Sequence, residues 1–139
     1  MNRNLQKWNL QPADRIVVPK SNLKMVQHHA IYLGRDRFGT EWIAENKIGR
    51  GVQIVTAADF FSDVMEVTRI EPFRGNQYQR NDAVRFAQSL QGRRYNLVEF
   101  NCEHYANVVQ HKVEVSDQAK VGIGLGFLGL FLGLLFIND

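Results

Sequence analysis

The stretch Asn101-Cys102-Glu103-His104-Tyr105 begins a segment that the sequence predicts to be an amphipathic helix. At 3.6 residues per turn, Cys102, Tyr105 and Val109 fall on one stripe, so the thiol points the same way as the apolar face. Asn101 is a favourable N-cap residue. A thiol in the first helical turn lies near the positive end of the helix dipole, which favours the nucleophilic thiolate. The alternative is that Cys102 serves as a small buried hydrophobic residue.

Length and composition limit the classes of protein to consider. A chain of 139 residues indicates one domain, and 45% hydrophobic residues are enough to form a core. A single cysteine excludes an internal disulfide framework and a cysteine-based zinc site, and it fits a reducing compartment. Acids such as Glu41, Asp59 and Asp63 lack the spacing of a metal site and are expected on solvated faces. The basic residues are scattered, so nucleic-acid binding is not expected, whereas a net charge of +3 suits an anionic membrane surface.

The two ends of the chain differ. The N-terminus has no apolar run after its charged residues, so it does not have the pattern of a secretory signal. Residues 121–137 contain no charged or polar side chain, and as a helix they cover about 25 Å. We therefore predict a domain of residues 1–118 followed by a membrane-anchoring helix of residues 119–139, the alternative being a buried core helix. Lys112 and Lys120 precede the apolar residues 121–137 and favour a domain on the cytoplasmic side. Small residues at helix-packing spacings also predict self-association in lipid through Gly122, Gly126, Gly129 and Gly133.

Short alternating segments precede longer helical patterns, which predicts an α+β fold with a small antiparallel sheet packed against helices. Strands are predicted at residues 15–18, 28–33, 42–45, 52–55 and 64–70, the second and third forming a hairpin. Helices are predicted after a capping box at Thr56, after Asn81-Asp82, and from Cys102 onward, with residues 113–118 as a link to the anchor.

A cysteine nucleophile needs a base, and the chain has four histidines. His104 is two residues from Cys102 on the same helix, so the two side chains diverge, and His111 lies at the far end of that helix. His28 and His29 lie on a strand, where successive side chains face opposite ways, so one of them can face the cysteine helix. Strand periodicity alone does not decide between them.

Three segments together resemble the lecithin:retinol acyltransferase-like family, which includes the H-Ras-like suppressor phospholipase/acyltransferases. They are residues 101–105, 28–34 and 12–16, and residues 116–118 with the hydrophobic C-terminus are similar too. The resemblance implies a circularly permuted papain-like fold in which the histidine precedes the cysteine. It implies Cys102 as nucleophile and His28 as base.

The chain departs from that family at the third catalytic position. Relatives usually carry a second histidine on the next strand, and here Glu45 falls in that place, with Asn46 as the alternative. The resemblance implies a membrane-anchored, cysteine-dependent phospholipid acyl hydrolase or acyltransferase that forms a thioester and needs no metal or cofactor. Its partners would be a phospholipid membrane and an acyl acceptor such as water, an amine or a lysolipid. The alternatives are a cysteine peptidase or amidase of the same superfamily and a non-catalytic membrane adaptor with a residual site.

Overall fold

The computed structural model describes residues 3–20, 26–64 and 66–120. The helices are α1 (Arg3–Trp8), α2 (Ala57–Phe60), α3 (Gln77–Ser89) and α4 (Cys102–Lys120). The strands are β1 (Arg15–Pro19), β2 (Gln27–Arg35), β3 (Glu41–Lys47), β4 (Gly51–Thr56) and β5 (Arg69–Glu71). This arrangement confirms the predicted α+β class.

The five strands form one antiparallel sheet in the order β4-β3-β2-β1-β5. The predicted hairpin is present as β2 and β3, with Ala30 opposite Glu45 and Tyr32 opposite Ile43. The register shifts between Tyr32 and Gly34, where Gly34 has a positive φ of 105° that suits a glycine in a bulge. The hairpin turn that follows is held by Asp36, whose Oδ1 accepts hydrogen bonds from two backbone N–H groups.

Alternate residues of the central strands fill two hydrophobic cores, one on each face of the sheet. The first core packs α3 and α4 on the sheet and includes Ile31, Ala44, Val52, Ala83, Ala87, Tyr105, Ala106 and Val109. The second core lies under α1 and α2 and includes Leu5, Ile16, Val18, Ala30, Tyr32, Ile43, Phe60 and Phe61. Each fully buried large apolar side chain contributes about 1.5–3 kcal/mol, so the two cores hold α4 and the strands in fixed positions.

Two predicted boundaries were wrong. Among the described residues, the strand expected at residues 64–70 is limited to β5. Strand β1 pairs with Arg69, Ile70 and Glu71 and accepts one further hydrogen bond from the Thr68 N–H, while Val64 and Val67 pack beside the second core. The helix expected after Asn81-Asp82 starts earlier, at Gln77. Asn76 caps it through a reciprocal capping box with Gln79, which places the predicted cap inside the helix.

Three further differences concern helices and charge. Residues 113–118, expected as a link, continue α4 to Lys120, since they contain neither glycine nor proline. Helix α1 was not predicted, because Leu5 is a single buried apolar residue among polar neighbours and gives no periodic pattern. Glu41 is not on a solvated face: it is buried, and it pairs with Arg35 at 3.1 Å.

Among the residues that the structure describes, no helix combines the length and apolar character needed to cross a bilayer. The predicted anchor of residues 119–139 lies, from Val121 onward, outside the described residues. The four glycines of the predicted self-association pattern lie outside them as well.

Candidate active site

The Asn101–His104 motif forms the start of α4. The Asn101 Oδ1 atom accepts hydrogen bonds from the backbone N–H groups of Glu103 and His104, both at 3.0 Å. In return, the His104 Nδ1 atom accepts from the Asn101 N–H at 3.3 Å. This is a reciprocal capping arrangement with histidine in the place of the usual glutamate, and it puts Cys102 at the first helical position. His104 therefore has a structural contact at the start of α4.

The Cys102 sulfur lies where β2 and β3 separate. The ladder between these strands begins at Ala30↔Glu45, whereas β3 stays paired with β4 as far as Lys47↔Gly51. This divergence leaves room beside the first residues of β2. The sulfur lies 3.9 Å from the backbone oxygen of Gln27, and the backbone N–H of His29 also hydrogen-bonds it. The residue Cys102 is 95% buried. Its thiol thus contacts the strand that carries both candidate histidines.

His28 lies between the thiol and a carboxylate. Its Nε2 is 2.6 Å from the Glu45 Oε2, and its side chain also hydrogen-bonds that of Cys102. Because the carboxylate occupies Nε2, Nδ1 is the ring nitrogen left for the thiol. The imidazole ring stacks on Phe60 with centroids 6.1 Å apart, and its exposed fraction is 13%. The structure therefore brings Cys102, His28 and Glu45 into one hydrogen-bonded series.

The pKa values within this series move in complementary directions. Burial lowers the pKa of His28, but hydrogen bonds to Cys102 and Glu45 outweigh it and raise the pKa to about 9. Burial raises the pKa of the Cys102 thiol, but the hydrogen bonds from His28 and the His29 backbone bring it below its ordinary value. Burial likewise opposes ionisation of Glu45, whose pKa is nevertheless lowered by His28 and Gln53. His28 is therefore protonated near neutral pH, and its charge favours the thiolate form of Cys102 and the carboxylate form of Glu45.

Gln53 was missed from the sequence. Its Nε2 donates to the second oxygen of Glu45, Oε1, at 2.6 Å, so both carboxylate oxygens have partners. The residue lies directly opposite Glu45 in the β3–β4 register. The two predicted strands, paired as a hairpin, could have revealed it, because directly opposite residues on one face are in contact.

His29 has a different environment from His28. Its Nδ1 accepts a hydrogen bond from the buried Arg15 Nε at 2.8 Å, and Arg15 Nη1 donates to the Asn107 Oδ1 of α4 at 2.6 Å. Burial and then the Arg15 charge lower the pKa of His29 to about 4, so its ring is neutral near pH 7. Arg15 also lies 3.6 Å from Glu71. This cluster links β1, β2, β5 and α4, and no local pattern of residues indicates it.

Asn46, the alternative third residue, bonds to the segment before α4. It is fully buried, and its Nδ2 donates to the backbone oxygen of Phe100 at 2.7 Å, two residues before Cys102. Within the part of the chain that the structure describes, its Oδ1 has no hydrogen-bond partner. Asn46 thus fixes the segment that enters α4, while Glu45 is the residue on the imidazole. His111, nine residues beyond Cys102 on α4, is remote from the site.

His28 and Glu45 line a cleft of about 510 Å³ on the face of the sheet that carries the second core. Its wall includes the apolar side chains Val18, Val55 and Phe60. Exposed side chains of both charges also line it, namely Lys20, Lys47, Arg50, Asp59 and Asp63. A cleft with an apolar wall and a charged margin suits a ligand that combines an apolar part with a polar head group.

The fold and the site together define an α+β protein with a thiol–imidazole–carboxylate centre at the start of a helix. The family model described as lecithin retinol acyltransferase matches residues 8–115, and the chain belongs to that family. The predicted resemblance is thereby confirmed. The family is typically enzymatic, and membership indicates acyltransferase or phospholipase-type activity in general. Neither the comparison with curated proteins nor that with solved structures found a significant match.

Proposed function

We propose that the protein is a cysteine-dependent acyl hydrolase or acyltransferase that acts on glycerophospholipid esters through a thioester on Cys102. In this proposal His28 moves the protons and Glu45 orients its ring. The observation that carries it is the hydrogen-bonded series Cys102–His28–Glu45, assembled from α4, β2 and β3. Family membership supports the same class of reaction.

The first half of the reaction forms the thioester. The Cys102 thiolate attacks the ester carbonyl carbon, a C–S bond forms, and the carbonyl electron pair moves onto oxygen. The tetrahedral intermediate then collapses, and the ester C–O bond breaks. The His28 imidazolium donates its proton to the departing lysophospholipid oxygen, which leaves a neutral imidazole beside the acyl-cysteine.

The second half releases the acyl group. The neutral His28 takes a proton from water, an amine or a hydroxyl group as that acceptor attacks the thioester carbon. The C–S bond breaks, and the thiolate and imidazolium are regenerated. Glu45 holds His28 in one tautomer and stabilises its positive charge, which are the roles of the third member of such a site. Water as acceptor gives phospholipase activity, and an amine or lysolipid gives acyltransferase activity.

The oxyanion of both tetrahedral intermediates needs a donor, and the start of α4 can supply one. The first N–H groups of a helix lack intrahelical acceptors. Those of Glu103 and His104 donate to the Asn101 side chain, and that of Tyr105 donates to the Asn101 backbone oxygen. The N–H of Cys102 remains, and it lies next to the attacking sulfur, as an oxyanion donor should.

Two finer parts of the proposal rest on the sequence. The histidine strand precedes the cysteine helix, which is the order of a permuted papain-like fold. The apolar segment of residues 119–139 would anchor the domain to a phospholipid membrane on the cytoplasmic side. Such tethering would raise the effective concentration of lipid substrate.

Intact-protein mass spectrometry after exposure to phosphatidylcholine vesicles tests the proposal. We expect an added mass of one acyl group on Cys102, together with released lysophospholipid. Cys102→Ala should give neither product while keeping the wild-type circular dichroism spectrum. Lipid turnover by folded Cys102→Ala would refute the assignment of the nucleophile. Cleavage of peptides without lipid turnover would favour the amidase alternative, and no turnover of either substrate would favour the adaptor.

A further inference from the structure

The loop that precedes α4 presents two adjacent apolar side chains to solvent. Asn96 and Phe100 form an isolated antiparallel bridge, with N–O distances of 3.0 and 2.9 Å. The Asn96 Oδ1 also accepts hydrogen bonds from the N–H groups of Val98 and Glu99, both at 3.0 Å. Leu97 and Val98 lie at the tip, 69% and 79% exposed. We call residues 96–100 the apolar loop, since its fixed backbone keeps these two side chains in water.

Exposed apolar side chains are clustered at this end of the molecule. Single exposed apolar residues are normal on protein surfaces, whereas a contiguous group marks an interaction site. Of the seven large apolar side chains that are exposed among the described residues, four lie here: Val26, Ile48, Leu97 and Val98. Val26 comes just before β2, and Ile48 just after β3. We call these four residues the apolar rim.

Several contacts hold the parts of the apolar rim together around the thiol. The apolar loop is attached to β3 by the Asn46–Phe100 hydrogen bond of 2.7 Å. The segment just before the loop is attached to β4 by the Val52 N–H, which donates to the Arg93 backbone oxygen at 2.8 Å. The Cys102 sulfur, next in the chain, lies 3.9 Å from the Gln27 backbone oxygen, beside Val26. The rim therefore surrounds the end of the sheet at which the thiol lies.

The charges at this end indicate which partner fits. Exposed cations accompany the rim at Lys20, Lys47, Arg50 and Arg94. Two exposed acids also lie at this end, Glu99 within the apolar loop and Glu103 in the first turn of α4, so the cations outnumber the acids by four to two. Cations around projecting apolar side chains complement a phospholipid surface, because anionic headgroups attract the cations and the apolar tips enter the acyl boundary. The Lys20 ammonium also lies 5.8 Å from the Tyr95 ring centre, which places a cation next to the loop and the site.

We propose that the apolar rim docks the active-site end of the domain on an anionic phospholipid bilayer, with Leu97 and Val98 inserted at the headgroup level. The proposal rests on the proposed function for the identity of its lipid substrate. The docking itself can be measured without catalysis. The tethering proposed for residues 119–139 only holds the domain near the bilayer. Docking through the apolar rim would also orient the domain, with the thiol toward the bilayer.

Site-directed fluorescence on the full chain tests the docking. Cys102 is the only cysteine, so Cys102→Ser provides a cysteine-free and catalytically inactive background. In that background, Val98→Cys is labelled with an environment-sensitive dye and mixed with vesicles of phosphatidylcholine and phosphatidylserine. The matched control is Phe38→Cys in the β2–β3 turn, at the opposite end of the sheet and also 79% exposed. We expect a blue shift, and quenching by headgroup-proximal doxyl lipids, at position 98 but not at position 38.

Two results of this experiment would overturn the proposal. One is aqueous emission at position 98 with vesicles present, equal to that at position 38. The other is a blue shift at position 98 that rises with protein concentration in the absence of lipid, which would assign the rim to a second copy of the chain.

A kinetic comparison separates the docking from the proposed function. In the Cys102-containing chain, Val98→Asp should lower the ratio of vesicle turnover to turnover of a monomeric short-chain ester by about tenfold, because a charge replaces an inserted apolar side chain. Phe38→Asp should leave that ratio unchanged, and equal ratios in the two variants would contradict the docking. A wild-type protein without lipid turnover would refute the proposed function, while the fluorescence result would still decide the docking.

Discussion

Replacing Glu45 with glutamine should shift the pH dependence of the site. The substitution keeps the size of the side chain but removes the negative charge that lies 2.6 Å from the His28 Nε2. An amide can still accept a hydrogen bond through its oxygen, so the ring retains a partner. The substitution therefore removes an electrostatic interaction, and that interaction stabilises only the imidazolium form of His28.

The size of the effect follows from the pKa of His28. Its rise from 6.5 to about 9 corresponds to about 3 kcal/mol in favour of the charged ring, after the opposing effect of burial. Cys102 and Glu45 share this stabilisation. Removing the Glu45 charge should therefore lower the pKa of His28 by about one to two units, which is about 1 to 3 kcal/mol.

The direction of each limb of the pH profile can be stated. The basic limb of kcat/KM reports loss of the His28 proton and should move from near pH 9 to lower pH in Glu45→Gln. The acidic limb reports formation of the Cys102 thiolate and should not move to higher pH, since His28 is still protonated there and the substitution removes a negative charge rather than adding one. The active window should therefore narrow from its basic side. Alkylation of Cys102 by iodoacetamide across pH gives the thiol pKa without any substrate.

Glu41→Gln is the matched control. Glu41 is a buried carboxylate on the same strand and face as Glu45, but it pairs with Arg35 at 3.1 Å near the other end of β3. Its substitution should leave both limbs of the profile in place, whatever it does to stability. A basic limb of Glu45→Gln that coincides with that of the wild type, or an equal shift of that limb in Glu41→Gln, would refute this role of the Glu45 charge.

Three other substitutions probe the surroundings of the site. The pKa of His29 is about 4 when folded, so the unfolded chain binds a proton that the folded chain excludes, and stability should fall by about 3 kcal/mol as pH drops from above 6.5 to below 4. His29→Gln should reduce that dependence in urea titrations, and an unchanged dependence would contradict the assignment. Asn46→Ala should lower the free energy of unfolding by about 1–3 kcal/mol. It should also lower kcat, because Phe100 loses the hydrogen bond that fixes the start of α4. An unaltered kcat would show that this hydrogen bond does not position the thiol. Asn101→Asp should preserve the N-cap and the melting temperature while raising the alkylation midpoint of Cys102, since it adds a negative charge beside the thiolate. An alkylation midpoint of Cys102 that is lower in Asn101→Asp than in the wild type would contradict this effect of the added charge.

Local chemistry was sufficient to predict much of the site. Asn101 has the side chain of an N-cap and caps α4, so the position of Cys102 in the first turn followed from sequence. The β2–β3 hairpin was also predictable, because alternation fixes which residues of its strands share a face. That hairpin brings Glu45 near the start of β2, where His28 lies.

The choice between His28 and His29 could not be made locally. Alternation places His29 on the face that α4 covers, yet the thiol interacts with the side chain of His28. The reason is that the β2–β3 ladder ends at Ala30↔Glu45, and the sulfur reaches the strand at this divergence. The point at which two strands stop pairing depends on what packs beside them. Here the start of α4, a helix from late in the chain, packs at the end of the β2–β3 ladder.

Element boundaries failed for related reasons. The extent of β5 is set by its partner β1, and no pattern within residues 64–70 contains that information. For α3, the cap was predicted at Asn81-Asp82, whereas Asn76 caps the helix, and the first turn of the helix carries polar residues that hide its start. The Arg15 cluster joins residues far apart in the chain, so no local motif could reveal it.

The Arg15–Asn107 contact has a consequence for insertions and deletions. Asn107 lies five residues beyond Cys102 on α4, and its bond to the buried Arg15 fixes the rotation of that helix relative to the sheet. One residue added between them would turn Cys102 by about 100° about the helix axis and carry its sulfur away from β2. The segment from Cys102 to Asn107 should therefore tolerate no insertion or deletion. The β2–β3 turn at Arg37, Phe38 and Gly39, which is solvent-exposed, can accept extra residues without altering the site.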